Sequence, residues 1–503
     1  MLNRRRMLAL GGLTVGGAVG GLLLPKGSPG GTAAAPAVTD AVRPLTQHKM
    51  DGMPMGGLDV SGPSAESLAA VAPPVTPFSV PMPVPSQLRP YLRDAAADYY
   101  RLSVQPSDVE IFPGLRTPAL TYGGTFLGPT IRARTGRTTK VTITNRLADD
   151  TNVHLHGGHT PVASDGYPMD VIAPGQAYTY EYPNNQQGAT LWYHDHVMGL
   201  ESDHVYRGLH GFYLIDDPAE ASLGLPSGEF DVPIMLRDAH FDEKGAFVFD
   251  IPRGTILANG KVQPYFQVAA RKYRFRLLNG ANERMLQLNL GGAQLLRIAS
   301  DGGLLPAPVA ETELSLASAE RTEFVVDFSR YKVGTQLVLS DATAGPVLRF
   351  DVVRSAPDFS RVPDRLRALP ALTKASVTRE LVLSFDLTGV PLGLINGKPF
   401  DPNRIDFQVK RGSTEIWKIT NGDTAHPIDH TFHCHLVQFR VLEREGAPLL
   451  PQDAGRKDTV FLGSGKSVTV QATFTDFLGK YLYHCHFLEH STSGMMGQFE
   501  IVA

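Results

Sequence analysis

Tyr483-His484-Cys485-His486-Phe487-Leu488-Glu489-His490-Ser491-Thr492, with Met495 three residues further on, is the stretch from which the rest of the chain is read. It offers a thiolate, an imidazole five residues later and a thioether ten residues later. Joined by one more imidazole, these soft donors make the ligand set of a blue copper centre: two His, one Cys and a weak axial Met. On an extended strand, alternate side chains face opposite ways. His484 and His486 therefore share one face, and Cys485 points to the other. One strand can then hold two metal sites back to back, linked by a few covalent bonds, a layout suited to electron transfer.

The 503 residues are 42% hydrophobic and 19% charged, ordinary globular material long enough for two to four domains. Fifty Gly and 38 Pro argue for many turns and few long helices. A net charge of −3 gives no reason to expect a nucleic-acid partner or an anionic membrane. The two cysteines, Cys434 and Cys485, exclude a disulfide framework. Cys434 also lies between two histidines, but Phe439 and Arg444 stand at the offsets where Cys485 has His490 and Met495. Cys434 reads as a small buried apolar residue.

Asn3-Arg4-Arg5-Arg6-Met7-Leu8 is a twin-arginine pattern, followed by a weakly apolar run to Leu24 and a cleavage-like Ala35-Pro36-Ala37. The expectation is export by the twin-arginine route to the periplasm, cell envelope or medium, with residues 1–37 removed and no stable membrane insertion. Residues 38–75 read as a flexible tether, and its His48, Met50, Met53 and Met55 are soft donors that could gather copper(I).

Beyond the tether the chain repeats. Lys140-Val141-Thr142-Ile143-Thr144-Asn145 alternates and ends in Asn. Tyr273 to Asn279 and Glu415 to Asn421 have the same form, at intervals of roughly 140 residues. A later strand recurs at Ala177 to Tyr182, Thr322 to Phe328 and Ser467 to Phe474, and each unit closes on another: Phe212 to Ile215, Val347 to Val353 and Gln498 to Val502. This predicts an all-β chain of three similar domains, 76–217, 218–368 and 369–503. Of 16 histidines, seven fall between His154 and His210 and seven between His426 and His490. The middle unit has only His240 and reads as a spacer without copper.

Four His-x-His pairs stand out: His154/His156, His194/His196, His433/His435 and His484/His486. Imidazoles two apart on a strand lie ~7 Å apart at the backbone, so one pair can serve two neighbouring metals. Eight imidazoles meeting at a domain interface would hold about three coppers and leave positions open for oxygen. Parity divides the third unit: His430, three residues before His433, faces the other way and belongs with Cys485.

These motifs resemble those of the multicopper oxidases, the laccase-like family of three Greek-key cupredoxin domains, from about Gly128 to Met496. His154-Leu155-His156-Gly157-Gly158, Ser164-Asp165-Gly166-Tyr167-Pro168, Lys272 to Arg276 and Ser300 to Pro306 are similar to the bacterial spore-coat laccase and bilirubin oxidase branch. The resemblance implies four copper ions. Type 1 copper would lie on His430, Cys485 and His490 with Met495 axial, and type 2 on His154 and His433. The type 3 pair would use His156, His194 and His486 on one ion and His196, His435 and His484 on the other. His48, His159, His204, His210, His240 and His426 match no ligand position.

Three departures stand against the family pattern. Thr431 replaces a proline, Cys434 an aliphatic residue, and Ser491 a carboxylate thought to help deliver protons. Asp165 matches the other acidic position and becomes the expected proton relay. The implied activity couples one-electron oxidation of phenols or aromatic amines to reduction of O2 to water, in a self-sufficient monomer. Its partners would be O2 and a small reducing substrate. The rival within the class is oxidation of Cu(I), Mn(II) or Fe(II). A non-catalytic electron carrier would leave eight imidazoles unexplained, a zinc hydrolase would be colourless, and a copper nitrite reductase lacks the four-pair layout.

Overall fold

The computed structural model describes residues 42–48, 72–250 and 253–503. The export segment expected over 1–37 and Met50, Met53 and Met55 lie outside them. The described chain is built from β-strands, and among its residues no helix is long and apolar enough to cross a membrane.

Three pairs of facing sheets follow one another along the chain, each closed around its own apolar core. The repeated Asn-ended strands occupy the same place in each. Thr138–Asn145 runs parallel to Ala97–Val109 and antiparallel to Ala177–Tyr182. Lys272–Asn279 lies likewise between Asp231–Ala239 and Arg321–Asp327, and Thr414–Asn421 between Val377–Asp386 and Ser467–Thr473. Alternation in these strands turns Val141 and Ile143, or Trp417 and Ile419, into the core.

The terminal Asn does the same work three times. The Asn145 amide donates to the carbonyls of Asp149 and Ile172, and its oxygen accepts from Leu147 N–H. Asn279 binds Arg284, Leu316 and Ala281 in the same way, and Asn421 binds Ile428, Leu462 and Asp423. A buried side-chain amide thus satisfies the backbone of the turn that leaves each strand.

Part of the expected tether is docked. Thr46–Gln47 pairs with Asp170–Val171, Val42 bridges Ala177, and buried His48 sets its Nδ1 3.0 Å from Asp150. A two-residue strand in a two-stranded ladder leaves no periodic trace, so composition alone reads it as linker.

Candidate metal centre

Four strands position the paired histidines, with His196, His435 and His486 one or two residues past the strand ends. β1 (His154–His156) and β2 (Ala189–His194) are antiparallel neighbours with His194 opposite His154. β3 (His430–Cys434) and β4 (Gly479–Cys485) are antiparallel neighbours with His433 opposite His484 and Phe432 opposite Cys485. Directly opposed residues share a face. This register turns His433 and His484 to one side and sends Cys485 into the core of the third unit.

All eight paired imidazoles meet in one buried cluster drawn from both ends of the chain. The His154 ring stacks on His435 at 3.8 Å and His156 on His433 at 3.7 Å between ring centres. His196 Nε2 and His435 Nε2 lie 3.3 and 3.2 Å from His484 Nε2. Three sets of nitrogens converge within 4.8 Å: His156, His194 and His486; His196, His435 and His484; and His154, His156 and His433. Burial pushes His194 and His484 down to about 4 and the rest well below the ordinary histidine value, so the rings are neutral and keep a lone pair.

The ring nitrogens show where those lone pairs point. His154, His433, His194 and His484 each donate from Nδ1 to a carbonyl, of Asp165 (2.5 Å), Asp458 (2.8 Å), Asp195 (2.9 Å) and Cys485 (2.9 Å). His435 Nδ1 lies 2.8 Å from Asp165 Oδ2. His156 is reversed, with Nε2 3.0 Å from Asp458 Oδ1. Left buried without a hydrogen-bond partner are Nε2 of His154, His194 and His433, Nδ1 of His156 and His196, and both nitrogens of His486. Unsatisfied buried acceptors are costly, and a ligating histidine characteristically fixes its tautomer through the other nitrogen. The donor set therefore fits metal ions inside the cluster.

The second group lies on the opposite face of β4. Nδ1 of His490 and of His430 sit 3.5 and 3.7 Å from Cys485 Sγ, and 3.1 Å from each other. Burial raises the Cys485 thiol, but His490 and His430 outweigh it and bring it down to about 6, where the thiolate is accessible. Met495 is buried in the same core, and its backbone accepts from Cys485 N–H and donates to the His490 carbonyl, both at 3.0 Å. Phe385 meets His490 edge-on. The outer nitrogens face carboxylates: His490 Nε2 lies 3.2 Å from Glu283 and His430 Nε2 2.9 Å from Asp423.

Among the described residues, His48, His159, His204, His210, His240 and His426 join none of these groups. His204 instead meets Asp195 at 3.2 Å, His159 lies 3.0 Å from Asp476, and His426 is exposed. Cys434 is buried and its thiol pushed well up by that burial, leaving an inert apolar side chain.

Two features of the site have no signature in the sequence. Arg321, in the middle unit, clasps Asp458 with both ends of its guanidinium at 2.6 Å, and Asp458 is the carboxylate on His156. Lys457 ties the same place to Asp301 (2.9 Å) and Glu320 (3.0 Å), all of them buried. The middle unit, expected only to space the others, braces the cluster with charge. The second feature is Glu201, on the short helix Glu201–Tyr206. Its Oε2 accepts from the Ser491 hydroxyl at 2.9 Å, and its Oε1 lies 3.6 Å from His196 Nδ1. Burial raises Glu201 and Asp165 well above ordinary carboxyl values. A carboxyl group from another element thus meets Ser491, at the position where the sequence resemblance led one to expect a carboxylate.

Two multicopper oxidase family models match the chain, one over residues 103–220 and the other over 362–503. The chain is 36% identical to a laccase of Bacillus stratosphericus, over 84% of this chain and 98% of that one. It is 34% identical to the bilirubin oxidase of Albifimbria verrucaria, over 86% and 82%. The crystal structure of a laccase from Pediococcus acidilactici superposes with a TM-score of 0.80 at 31% identity, over 86% and 95%. With two buried donor clusters of this kind and these relatives, the chain belongs to the multicopper oxidases, copper oxidoreductases that use O2 as acceptor.

Proposed function

We propose a laccase-like oxidase that draws single electrons from phenolic or aromatic-amine donors, with four coppers divided as one type 1, one type 2 and a type 3 pair. The convergence of eight neutral imidazoles behind Cys485 carries this reading. His430, Cys485, His490 and Met495 would hold type 1 copper, and His154 and His433 type 2. His156, His194 and His486 would hold one type 3 ion, with His196, His435 and His484 holding the other. Bound copper supplies the one-electron oxidation and the four-electron reduction of O2 to water.

The chain's own residues supply the rest. Cys485 is bonded directly to His484 and His486, so the backbone gives a short covalent path from the sulfur to both rings. The carbonyls on Nδ1 and the Asp458 carboxylate on His156 orient the rings before metal arrives. Asp165, hydrogen-bonded to His435 Nδ1, and Glu201, held by Ser491, are carboxyl groups of raised affinity for protons beside the cluster. Both are proposed to hold the protons that water formation consumes. The ligand set lies within one chain, which supports a functional monomer, and Arg4-Arg5 support export by the twin-arginine route.

One observation favours a metal-ion donor as a second reading. Glu283 and Asp423 stand on the outer nitrogens of His490 and His430, and paired carboxylates attract cations. Steady-state oxygen uptake with phenols, aromatic amines, Cu(I), Mn(II) and Fe(II) tests both. Turnover confined to metal ions overturns the first reading.

A further inference from the structure

A cavity of about 510 Å³ opens where the first and third units meet the segment joining the second to the third. Its wall includes Gly157 and Leu436, each directly following a cluster histidine, and three arginines: Arg367, Arg440 and Arg456. Only two carboxylates line it, and both are engaged. Asp217 accepts from Arg367 at 2.6 Å and from Ala219 N–H at 2.9 Å, and Asp476 lies 3.0 Å from His159 Nε2. Arg440 reaches only the Pro370 carbonyl, at 3.4 Å, and its Nε is shielded from solvent with no partner. Among the described residues, the Arg456 side chain has no hydrogen bond or ion pair at all.

Two half-buried guanidiniums thus face one concave space with their positive charge uncompensated. Burial depresses Arg456, and the charges of Arg367 and Arg440 depress it further. Like charges held together in a partly desolvated cleft are stabilised by a counter-charge, and the planar donor fork of arginine fits an oxyanion in two-point contact. We propose that this cavity binds an oxyanion, a phosphate or carboxylate group carried on a small molecule, between Arg440 and Arg456. Its volume leaves space for a body attached to the charged group. Its walls come from the first unit, the third unit and the joining segment, so a bound anion ties the three together and stabilises the folded chain by mass action.

Thermal unfolding of the copper-loaded full chain tests this with inorganic phosphate, citrate and chloride at matched ionic strength. Phosphate or citrate should give a saturable rise of a few degrees in Tm that chloride does not give. The larger of the two shifts assigns the phosphoryl or the carboxylate source. The double variant R440Q/R456Q should abolish the rise while keeping the blue colour and turnover, and R440K/R456K should keep part of it. If the glutamine variant does not fold, equilibrium dialysis of phosphate against the unsubstituted holoprotein decides, with one saturable phosphate per chain expected. Equal shifts with chloride, a rise that survives R440Q/R456Q, or non-saturable uptake overturns the proposal.

Discussion

The two donor groups on either side of β4 are assembled in opposite ways. Around the sulfur, Cys485, His490 and Met495 fall within eleven residues, and His430 is on the neighbouring strand of the same sheet. All four of its donors come from the third unit, with Glu283 of the second touching only the outer nitrogen of His490. The imidazole cluster has no such autonomy: the His156–Asp458 contact joins residues 302 apart in sequence, and the Asp165–His435 contact joins residues 270 apart. It exists only when the first unit docks on the third, braced by Arg321 from the second. A damaged ligand should therefore silence the sulfur site locally, whereas the cluster should also fail through residues that never touch metal.

The largest effect should come from Cys485→Ser. Removing the thiolate abolishes the intense blue absorption and should lower oxidase turnover by ~1000-fold or more, about 4 kcal/mol of barrier. The cluster ligands are untouched, so type 2 and type 3 copper should stay bound. A variant that keeps full activity would show that electrons enter elsewhere.

Asp458→Asn comes next and attacks the cluster without altering a ligand. An amide can donate to His156 Nε2, which moves the ring proton to Nδ1, the nitrogen now free and buried. Loss of such a ligand-orienting partner costs ~10–100-fold in metal affinity or activity. Copper analysis should find the cluster under-filled while the blue band persists. Arg321→Met should act in the same direction and also destabilise the fold, by ~3–5 kcal/mol, because it strands Asp458 as a buried unpaired charge. Full copper loading in Arg321→Met would make the middle unit a mere spacer after all.

Glu201→Gln should be milder. The amide keeps the hydrogen bond to Ser491 but holds no transferable proton, so O2 reduction should slow by ~10-fold or more with the blue copper still reducible. An altered solvent isotope effect on turnover separates proton delivery from misfolding. No change in rate or isotope effect would leave Asp165 as the sole carrier.

How much of this was legible in the sequence follows the same contrast. Strand alternation alone separated His430 from His433, and the structure puts His430 beside Cys485. The repeated Asn strands marked three units because each Asn closes the same turn. Asp458, Arg321 and Glu201 were invisible: an acid or a guanidinium has no periodic pattern, and their partners lie far along the chain. Residues 42–48 were misread for a related reason, since a two-residue strand borrows its order from a partner strand more than 100 residues away, Asp170–Val171.

The smallest effect concerns the rim of the sulfur site, and it sharpens the choice of donor. Glu283 is partly exposed and sits on His490 Nε2, the outward edge of a ring whose other nitrogen faces the sulfur. A carboxylate there attracts cationic donors and repels anionic ones, by an amount that falls as salt screens it. Glu283→Gln should raise KM for a cationic aromatic amine or Fe(II) a few-fold at low ionic strength. It should leave KM for a neutral phenol nearly unchanged and lower it for a sulfonated donor. Because the hydrogen bond to the ring persists in the amide, the blue band should barely move. If KM for every donor shifts alike, Glu283 shapes the ring rather than selecting charge; if only metal ions suffer, cations are the substrates this edge is built to receive.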